Sequence, residues 1–158
     1  MKKLLTIALL LMPVLMQAQS KKEILASIIQ QKVENQSVYI RVNIAEPIGM
    51  SMVDLSTSNY YFQYIMGKVT CHLPYYGVTG SGVVNELDLS IRADNTPAEC
   101  TTVFSPKKKL WKFDIAFIRD KDSEKTECQI QLYNNGLAHL RIQAPGRSAI
   151  KFEGSIVL

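Results

Sequence analysis

The stretch that decides the fold is Asn59-Tyr-Tyr-Phe-Gln-Tyr-Ile-Met-Gly-Lys-Val-Thr-Cys-His-Leu-Pro-Tyr-Tyr-Gly77. Apolar and polar residues alternate through much of both halves, which is typical of β-strands with one buried face. The Met66-Gly67-Lys68 step between the halves predicts a tight turn, and Leu73-Pro74-Tyr75-Tyr76-Gly77 ends the second strand. We therefore expect a β-hairpin here and an antiparallel sheet built around it.

Further strands are predicted on both sides of this hairpin. Residues 38–44 alternate strictly, residues 111–117 give the strongest two-residue period, and Asn134-Asn135-Gly136 predicts another tight hairpin turn. The other expected strands are residues 50–55, 84–91, 100–104, 128–132, 138–142 and 150–156. Turns or loops are expected at residues 77–82, 93–97, 105–109 and 120–125.

One amphipathic helix precedes the strands, at residues 21–36. Apolar residues recur there at helical spacing, and Ser20 with Glu23 forms a capping-box pattern. We expect this helix to cover an open side or end of the sheet, and a partner-binding helix is the alternative. Because no second helix is available to cover a sheet face, the sheet must curl on itself as a barrel or a sandwich. We favour a mainly β fold: a meandering antiparallel, lipocalin-like β-barrel of about eight to ten strands.

The first twenty residues predict an export signal. Lys2 and Lys3 precede an apolar run that is too short to span a membrane as a mature helix, and cleavage is expected near residues 18–20. No cysteine follows this run, which argues against a lipid anchor. No second long apolar run follows either, so no stable membrane insertion is expected. We therefore expect a periplasmic or secreted chain with a single β-barrel domain at residues 21–158.

Three parts of the sequence stand out as motifs: Leu73-Pro-Tyr-Tyr-Gly77, Trp111 and Ile150-Lys-Phe-Glu-Gly-Ser-Ile156. They resemble the Leu-Pro-Tyr-Phe-Gly motif, the mid-chain Trp and the Ile-Ser-Phe-x-Gly-x-Ile ending of a family of small exported Bacteroidales-type proteins, a domain of unknown function. The resemblance covers nearly the whole chain after the leader and implies a lipocalin-type barrel. It brings no catalytic residue, since the family has no established activity. Val78 replaces an Arg of the family pattern, and Gly67-Lys68 replaces its Asp-Ser.

The sequence lacks the usual patterns of catalysis and cofactor binding. His72 and His139 lie out of phase with the apolar residues of their strands, and no HxH or CxxC spacing supplies a metal site. Cys71 and His72 are strand neighbours, so their side chains point to opposite faces and cannot form a nucleophile–base pair. Hydrolase, phosphate-loop and dinucleotide motifs are missing. We expect a non-catalytic protein with no metal and no cofactor.

The charge of the chain also limits its partners. Without Lys2 and Lys3, the formal net charge falls from +4 to +2, because sixteen basic residues face fourteen acidic ones. Such a balance predicts no special affinity for nucleic acid. The Lys107-Lys108-Lys109 run is interpreted as a solvated hairpin tip, with a polyanion contact as the alternative.

The aromatic residues around the central hairpin form the predicted ligand-binding site. They are Tyr60, Phe62, Tyr64, Tyr75 and Tyr76. Amphipathic rings suit a surface or a cavity that binds a ligand, and packing alone is the competing interpretation. The first expected function is to hold a small amphipathic or lipidic ligand in a barrel mouth near residues 60–76. The alternative is a cell-envelope interaction or structural module that presents an aromatic face or a strand edge to another protein.

Two further predictions concern packing. Trp111 begins the strongest alternating strand and is expected to be largely buried with Phe113. All three cysteines are expected to be free thiols, because an intervening strand would separate Cys71 from Cys100 and another would separate Cys100 from Cys128. The competing interpretation is a disulfide between Cys71 and Cys128 across a barrel interior.

Overall fold

The computed structural model describes residues 21–79, 82–85, 90–119 and 124–158. A helix, α1, covers residues 21–34 of this part of the chain. The strands are β1 Ser37–Pro47, β2 Val53–Asp54, β3 Tyr61–Ile65, β4 Lys68–Leu73, β5 Tyr76–Thr79, β6 Gly82–Asn85, β7 Ile91–Ser105, β8 Leu110–Ile118, β9 Lys125–Tyr133, β10 Leu137–Gln143 and β11 Ile150–Ile156. The export signal predicted at residues 1–20 lies outside the described residues. Within the described ranges, no helix has the length and apolar character needed to cross a membrane.

Eight of these strands form a closed antiparallel barrel in chain order: β1, β3, β4, β7, β8, β9, β10 and β11. The ring closes where β11 pairs with β1. Gly154 permits this seam, because a Cβ atom at that position would collide with the backbone carbonyl of Arg41. The predicted meandering antiparallel barrel with one N-terminal helix is therefore confirmed.

The barrel has two distinct ends. The end that we call the Tyr75 end carries the connections from β4 to β5, from β8 to β9 and from β10 to β11. The opposite end, called the hairpin end, carries the tight turns at residues 66–67, 106–109 and 134–136 and the join between α1 and β1. Ile29 and Val33 of α1 are buried and belong to the same hydrophobic cluster as the barrel interior. The helix thus packs against the barrel core, as its apolar stripe predicts.

The interior of the barrel is filled with side chains. The largest of the fully buried residues come from β1, β3, β4, β7, β8, β9, β10, β11, the helix and Tyr75: Phe62, Phe152, Ile29, Ile40, Leu73, Ile91, Leu110, Ile130, Leu132, Leu140, Ile142 and Tyr75. Side chains with so little exposed surface are enclosed by other atoms on every side. The described part of the interior is therefore a packed core and not an open cavity.

The hairpin turns follow the sequence prediction. Met66 and Gly67 both adopt positive φ angles, 48° and 78°, which suits a two-residue turn between paired strands. Gly136 likewise has a φ of 89° in the turn between β9 and β10. The predicted central hairpin and the predicted Asn-Asn-Gly turn are both present.

The predicted turn at residues 93–97 is wrong, because β7 runs through it without a break. Asn95 has a φ of 49°, and the register of β4 against β7 shifts between the pairs Val69↔Thr96 and Cys71↔Ala93. The extra residue on β7 forms a β-bulge, which bends the strand and lets its ladder continue. Residues that favour turns thus bend this strand and do not end it.

The connection between β4 and β7 also differs from the prediction. In its described part, the loop expected at residues 77–82 is a small hairpin, with Tyr76↔Asn85 and Gly77↔Val84 among its pairs. The strand expected at residues 84–91 is not a barrel strand of its own, since β6 ends at Asn85 and β7 begins at Ile91. Residues 86–89 of that predicted strand lie outside the described residues. As a result, β4 pairs directly with β7.

All three cysteines are free, as predicted. Cys71 and Cys128 are buried and Cys100 is partly exposed, so the competing disulfide between Cys71 and Cys128 is wrong. The intervening strand predicted between Cys71 and Cys100 is wrong, because β4 and β7 are neighbours in the barrel. They do not meet because Cys71 pairs with Ala93, far from Cys100 along β7. Burial raises the pKa of the Cys128 thiol well above its usual value.

Trp111 packs against the core but is less deeply buried than Phe113. Phe113 on the same face is 2% exposed, whereas Trp111 is half-buried. The indole ring packs on Phe104, its cross-strand partner, with 4.7 Å between ring centroids. Because Phe104 is itself 39% exposed, this pair lies at the margin of the core.

Candidate functional site

The predicted aromatic site is divided between the interior and the surface. Phe62 and Tyr64 point into the barrel and are 0% and 5% exposed. The Phe62 ring meets the ring of Phe117 edge-on, with 6.3 Å between centroids. The Tyr64 hydroxyl contacts the Cys100 thiol, and burial together with this thiol raises the pKa of Tyr64 to about 12. Both residues are parts of the core and offer no free ring face.

Tyr75 seals one end of the barrel. It is 2% exposed, and its hydroxyl donates to the backbone carbonyl of Ser148 at 3.0 Å. The guanidinium of Arg147 lies over the ring, 5.3 Å from its centroid. Gly77 leaves room for this contact, because a Cβ there would lie 2.6 Å from Ser148 Oγ and 2.9 Å from Tyr75 Oη. The Leu-Pro-Tyr-Tyr-Gly motif therefore links the β4–β5 connection to the β10–β11 loop.

Tyr60 and Tyr76 lie at the rim of the same end, beside His72. Both tyrosines are partly buried against the core, and the Tyr60 ring meets the His72 ring with 5.1 Å between centroids. Burial raises the pKa of Tyr76, and the nearby Tyr60 raises it further. Burial lowers the pKa of His72, and the positive charge of Arg92 lowers it further. Among the described residues, no group hydrogen-bonds to the buried Nε2 of His72.

Both histidines point away from the core, as their phase predicts. His139 Nε2 lies 3.9 Å from a carboxylate oxygen of Glu153, and the Tyr133 ring lies 5.5 Å from the imidazole. In the part of the chain that the structure describes, no three His, Cys, Asp or Glu side chains are grouped so that they could hold a metal ion.

A second candidate site is the free edge of β7, which we define as residues 99–105. The first half of β7 pairs with β4, and the last contact is the N–H of Ala98, which donates to the Gly67 carbonyl at 2.9 Å. Beyond this point β4 no longer runs beside β7, because the chain turns into β3 at residues 66–67. Strand β7 continues to Ser105 with β8 as its one strand neighbour among the described residues.

The backbone groups of the free edge point outward at every second residue. Strand residues alternate in the side to which their N–H and C=O groups point, and Ala98 points toward β4. Cys100, Thr102 and Phe104 therefore direct their backbone groups to the same side, where β4 has ended. No described residue hydrogen-bonds to these groups on that side. Such an edge is a template for pairing with another strand.

The surroundings of the free edge are apolar along its length and charged at its ends. Val103 is 56% exposed and Phe104 is 39% exposed, on opposite faces of the strand. Met66, which is 79% exposed, lies in the turn beside the start of the edge. Glu99 is exposed at this start, and the exposed Lys107-Lys108-Lys109 tip follows the other end. The tip is solvent-exposed, as predicted.

The sequence predicts a strand edge as one possible site but does not indicate which residues form it. The usable signal is a mismatch of strand lengths, since β7 has 15 residues and its neighbour β4 has 6. The turn-like residues around Asn95 conceal this signal, because they predict a turn at residues 93–97 and leave only residues 100–104 as the strand that follows it.

Comparison with known proteins places the chain in a family. The model of DUF4251, a domain of unknown function, matches residues 20–156. The chain belongs to the DUF4251 family. A crystal structure of a DUF4251 family protein from Bacteroides eggerthii DSM 20697 is similar, with a TM-score of 0.60 and 10% sequence identity over 85% of this chain and 87% of that chain. At this identity the similarity establishes the fold alone. No curated protein matches the sequence.

Proposed function

We propose that this DUF4251 protein is an exported, non-catalytic module of the cell envelope that binds another protein chain through the free edge of β7. The observation that carries the proposal is the outward row of backbone groups at Cys100, Thr102 and Phe104, on a strand whose other edge is paired with β8. Strand addition at such an edge supplies main-chain hydrogen bonds for affinity and side-chain contacts for specificity. Export is inferred from the leader-like residues 1–20.

The packed interior supports this function over a ligand held inside the barrel. Phe62, Tyr64 and Tyr75, three of the five predicted ligand-binding residues, are at most 5% exposed. A ligand that used their rings would have to displace core side chains. The free edge of β7, in contrast, needs no rearrangement to accept a strand.

Site-specific photocrosslinking in the native host tests the proposal. A photoreactive residue at Thr102 is expected to give adducts of defined mass in the envelope fraction. Gln131 is the matched control, since it is exposed on β9, a strand with a partner on each side. Adducts at both positions, or at neither, would contradict strand pairing at β7. The mass of the mature protein in the same fraction tests cleavage near residues 18–20.

A second candidate function is the binding of a small amphipathic or lipidic molecule at the rim of the Tyr75 end. The observation that favours it is the pair of half-buried rings, Tyr60 and Tyr76, beside a His72 Nε2 that has no partner in the described structure. Native mass spectrometry after incubation with a host lipid extract should show an adduct that Tyr60→Ala weakens. Tyr39→Ala is the control, because Tyr39 stacks on Tyr61 on the outer wall. An adduct-free spectrum would remove this candidate.

A further inference from the structure

We infer that the chain that pairs with the free edge is a short acidic segment: a strand of about five residues that runs antiparallel to β7 and is preceded by acidic residues. The inference rests on the proposed function, because it names the occupant of the same edge. It goes further in fixing the length, the direction and the charge of the partner.

The first argument fixes where the partner strand can lie. The N–H of Ala98 already donates to the Gly67 carbonyl, so the position opposite Ala98 is filled by the same chain. At the other end, the turn at residues 106–109 leads into β8. A partner strand can therefore face residues 100–104 and must end or turn away before it reaches Ala98. A strand of about five residues fills this space without a collision with the β3–β4 turn.

The second argument is direction. Every strand pair in the described sheets is antiparallel, including the pair of β4 with β7. The free edge continues the edge that β4 occupies, and antiparallel pairs are slightly more stable per residue than parallel pairs. An antiparallel partner begins beside the lysine tip, residues 107–109, and ends beside Gly67. Its first strand residue then faces Phe104, and its fifth faces Cys100.

The third argument is charge. Residues 100–113 contain four lysines and no acidic residue, so this segment carries a formal charge of +4, as large as that of the whole chain. Among the described residues, none of the lysines at positions 107–109 and 112 forms an ion pair. Acidic residues that precede the partner strand would lie beside this unpaired positive charge. Complementary charge of this kind selects a partner and fixes its register.

The opposite end of the free edge has no such excess of positive charge. Lys68 and Glu99 are both exposed there, and their charges have opposite signs. Acidic residues that follow the partner strand would be attracted by Lys68 but repelled by Glu99. The charge along the edge is therefore asymmetric, and it favours a partner whose acidic residues lie before its strand.

The exposed side chains of the edge indicate the composition of the partner strand. Val103 and Phe104, which are 56% and 39% exposed, lie next to the lysine tip. Thr101 and Thr102 are exposed polar residues further along the strand. Because residues that face each other across an antiparallel pair share a face and pack together, the first two residues of the partner strand should be apolar. The residues that follow can be polar.

Fluorescence anisotropy with labelled peptides tests the charge. The acid-first peptide is Glu-Glu-Glu-Val-Val-Thr-Thr-Val, and the acid-last control has the same residues in reverse order. A third peptide has Gln in place of each Glu. The acid-first peptide should bind about 10-fold more tightly than either control, because several exposed ion pairs each add a small gain. Added salt should reduce this difference, since it screens exposed charges.

Charge reversal at the lysine tip is the complementary test. Lys107→Glu combined with Lys108→Glu should abolish the preference for the acid-first peptide. Arg141→Glu combined with Lys151→Glu is the matched control, since these exposed residues face each other across β10 and β11, three and four strands away from β7. Both double variants change the net charge equally. An equal loss of binding in the two would contradict a contact at the tip.

Disulfide trapping on the native Cys100 tests the direction. A cysteine at the fifth strand position of the acid-first peptide should form a mixed disulfide with Cys100, because paired Cα atoms lie about 5.5 Å apart. A cysteine at the first strand position is the control, since it would lie about 13 Å further along the strand. Cys71 and Cys128 are buried, and Cys100→Ser should abolish the adduct. Trapping at the first position alone would overturn the antiparallel direction.

Thr102→Pro tests the backbone contact. It removes one donor from the edge and should weaken binding of the acid-first peptide about five-fold. The N–H of Thr102 points away from β8, so the circular dichroism spectrum should stay unchanged. An unchanged affinity would contradict strand pairing at β7. The lysine variants keep the inference testable if Thr102→Pro does not fold.

The outcomes separate the two proposals. Equal binding of the three peptides, or binding of none, would overturn the acidic partner. A crosslink at Thr102 in cells would in either case leave strand pairing at β7 in place. Absence of both peptide binding and any crosslink at Thr102 would overturn both proposals.

Discussion

The two ends of β4 differ in how the chain leaves them. Beyond Leu73, the chain runs into Tyr75, which is buried and tied by its hydroxyl to Ser148. At Lys68, the chain turns back through Gly67, and past this point β7 continues with β8 as its one strand neighbour among the described residues. One end is therefore sealed by a tertiary contact, and the other leaves backbone hydrogen-bonding groups open.

Under the proposed function, this difference assigns stability to one end of β4 and binding to the other. The Tyr75 end gains its stability from an aromatic ring and a hydrogen bond that are removed from water. The free edge of β7 contributes little to the core, since residues 101–104 are exposed. Substitutions at the two ends should therefore have opposite profiles, with large effects on folding at the first and large effects on association at the second.

Tyr75→Ala should have the largest effect on folding. Removing a ring that is 2% exposed should lower the free energy of unfolding by about 3–5 kcal/mol, as large aromatic truncations in cores do. Tyr75→Phe is the control, with a loss of about 1 kcal/mol from the hydrogen bond to Ser148 alone. Urea denaturation followed by circular dichroism measures both. A loss below about 1 kcal/mol for Tyr75→Ala would show that this end is not sealed by the ring.

Trp111→Ala should have an intermediate effect, because the ring lies at the boundary between the core and the free edge. A fully buried ring would cost about 3–5 kcal/mol, and the half-buried Trp111 should cost about 2 kcal/mol. Phe113→Ala, on the same face but 2% exposed, should cost more. If Trp111→Ala costs under about 1 kcal/mol and also weakens association, the indole belongs to the binding surface.

His72→Gln should reduce the acid sensitivity of the protein, with a smaller effect than either truncation. Burial lowers the pKa of His72 in the folded chain, so below the usual value of 6.5 the unfolded chain binds more protons. The His72 contribution to stability is therefore present above pH 6.5 and declines as the pH falls through this value. Denaturation midpoints at pH 7.5 and pH 5.5 measure the difference. Equal pH slopes in the two proteins would show that the rim leaves this imidazole fully solvated.

Thr102→Ala should have the smallest effect on folding. The side chain is exposed, and its removal should change the free energy of unfolding by no more than about 0.5 kcal/mol. The backbone N–H remains, so association should change little as well. This variant therefore sharpens the comparison with Thr102→Pro, which removes the donor itself. A large loss of stability in Thr102→Ala would mean that the edge is part of the core.

The sequence by itself determines the class of fold and most strand positions. Strict alternation at residues 38–44 and 111–117 reports which face of each strand is buried, because side chains in a strand point alternately to two sides. Gly67 and Gly136 adopt the positive φ angles that their hairpin turns require. These are local properties, and each can be read from a few consecutive residues. The antiparallel barrel follows from them together with the single helix that the sequence predicts.

Only the tertiary structure decides which strands are neighbours and where a neighbour is missing. The bulge at Asn95 lets β7 run through the predicted turn at residues 93–97, and this 15-residue strand therefore extends beyond the end of β4. The partner of Tyr75 is Ser148, which is 73 residues away in the chain. Alternation in sequence records burial but not the identity of the covering group, which depends on register and on contacts between distant segments. For this reason the sequence predicts the aromatic residues as a site, whereas the contact of Tyr75 with Ser148 and the free edge of β7 depend on the closed barrel.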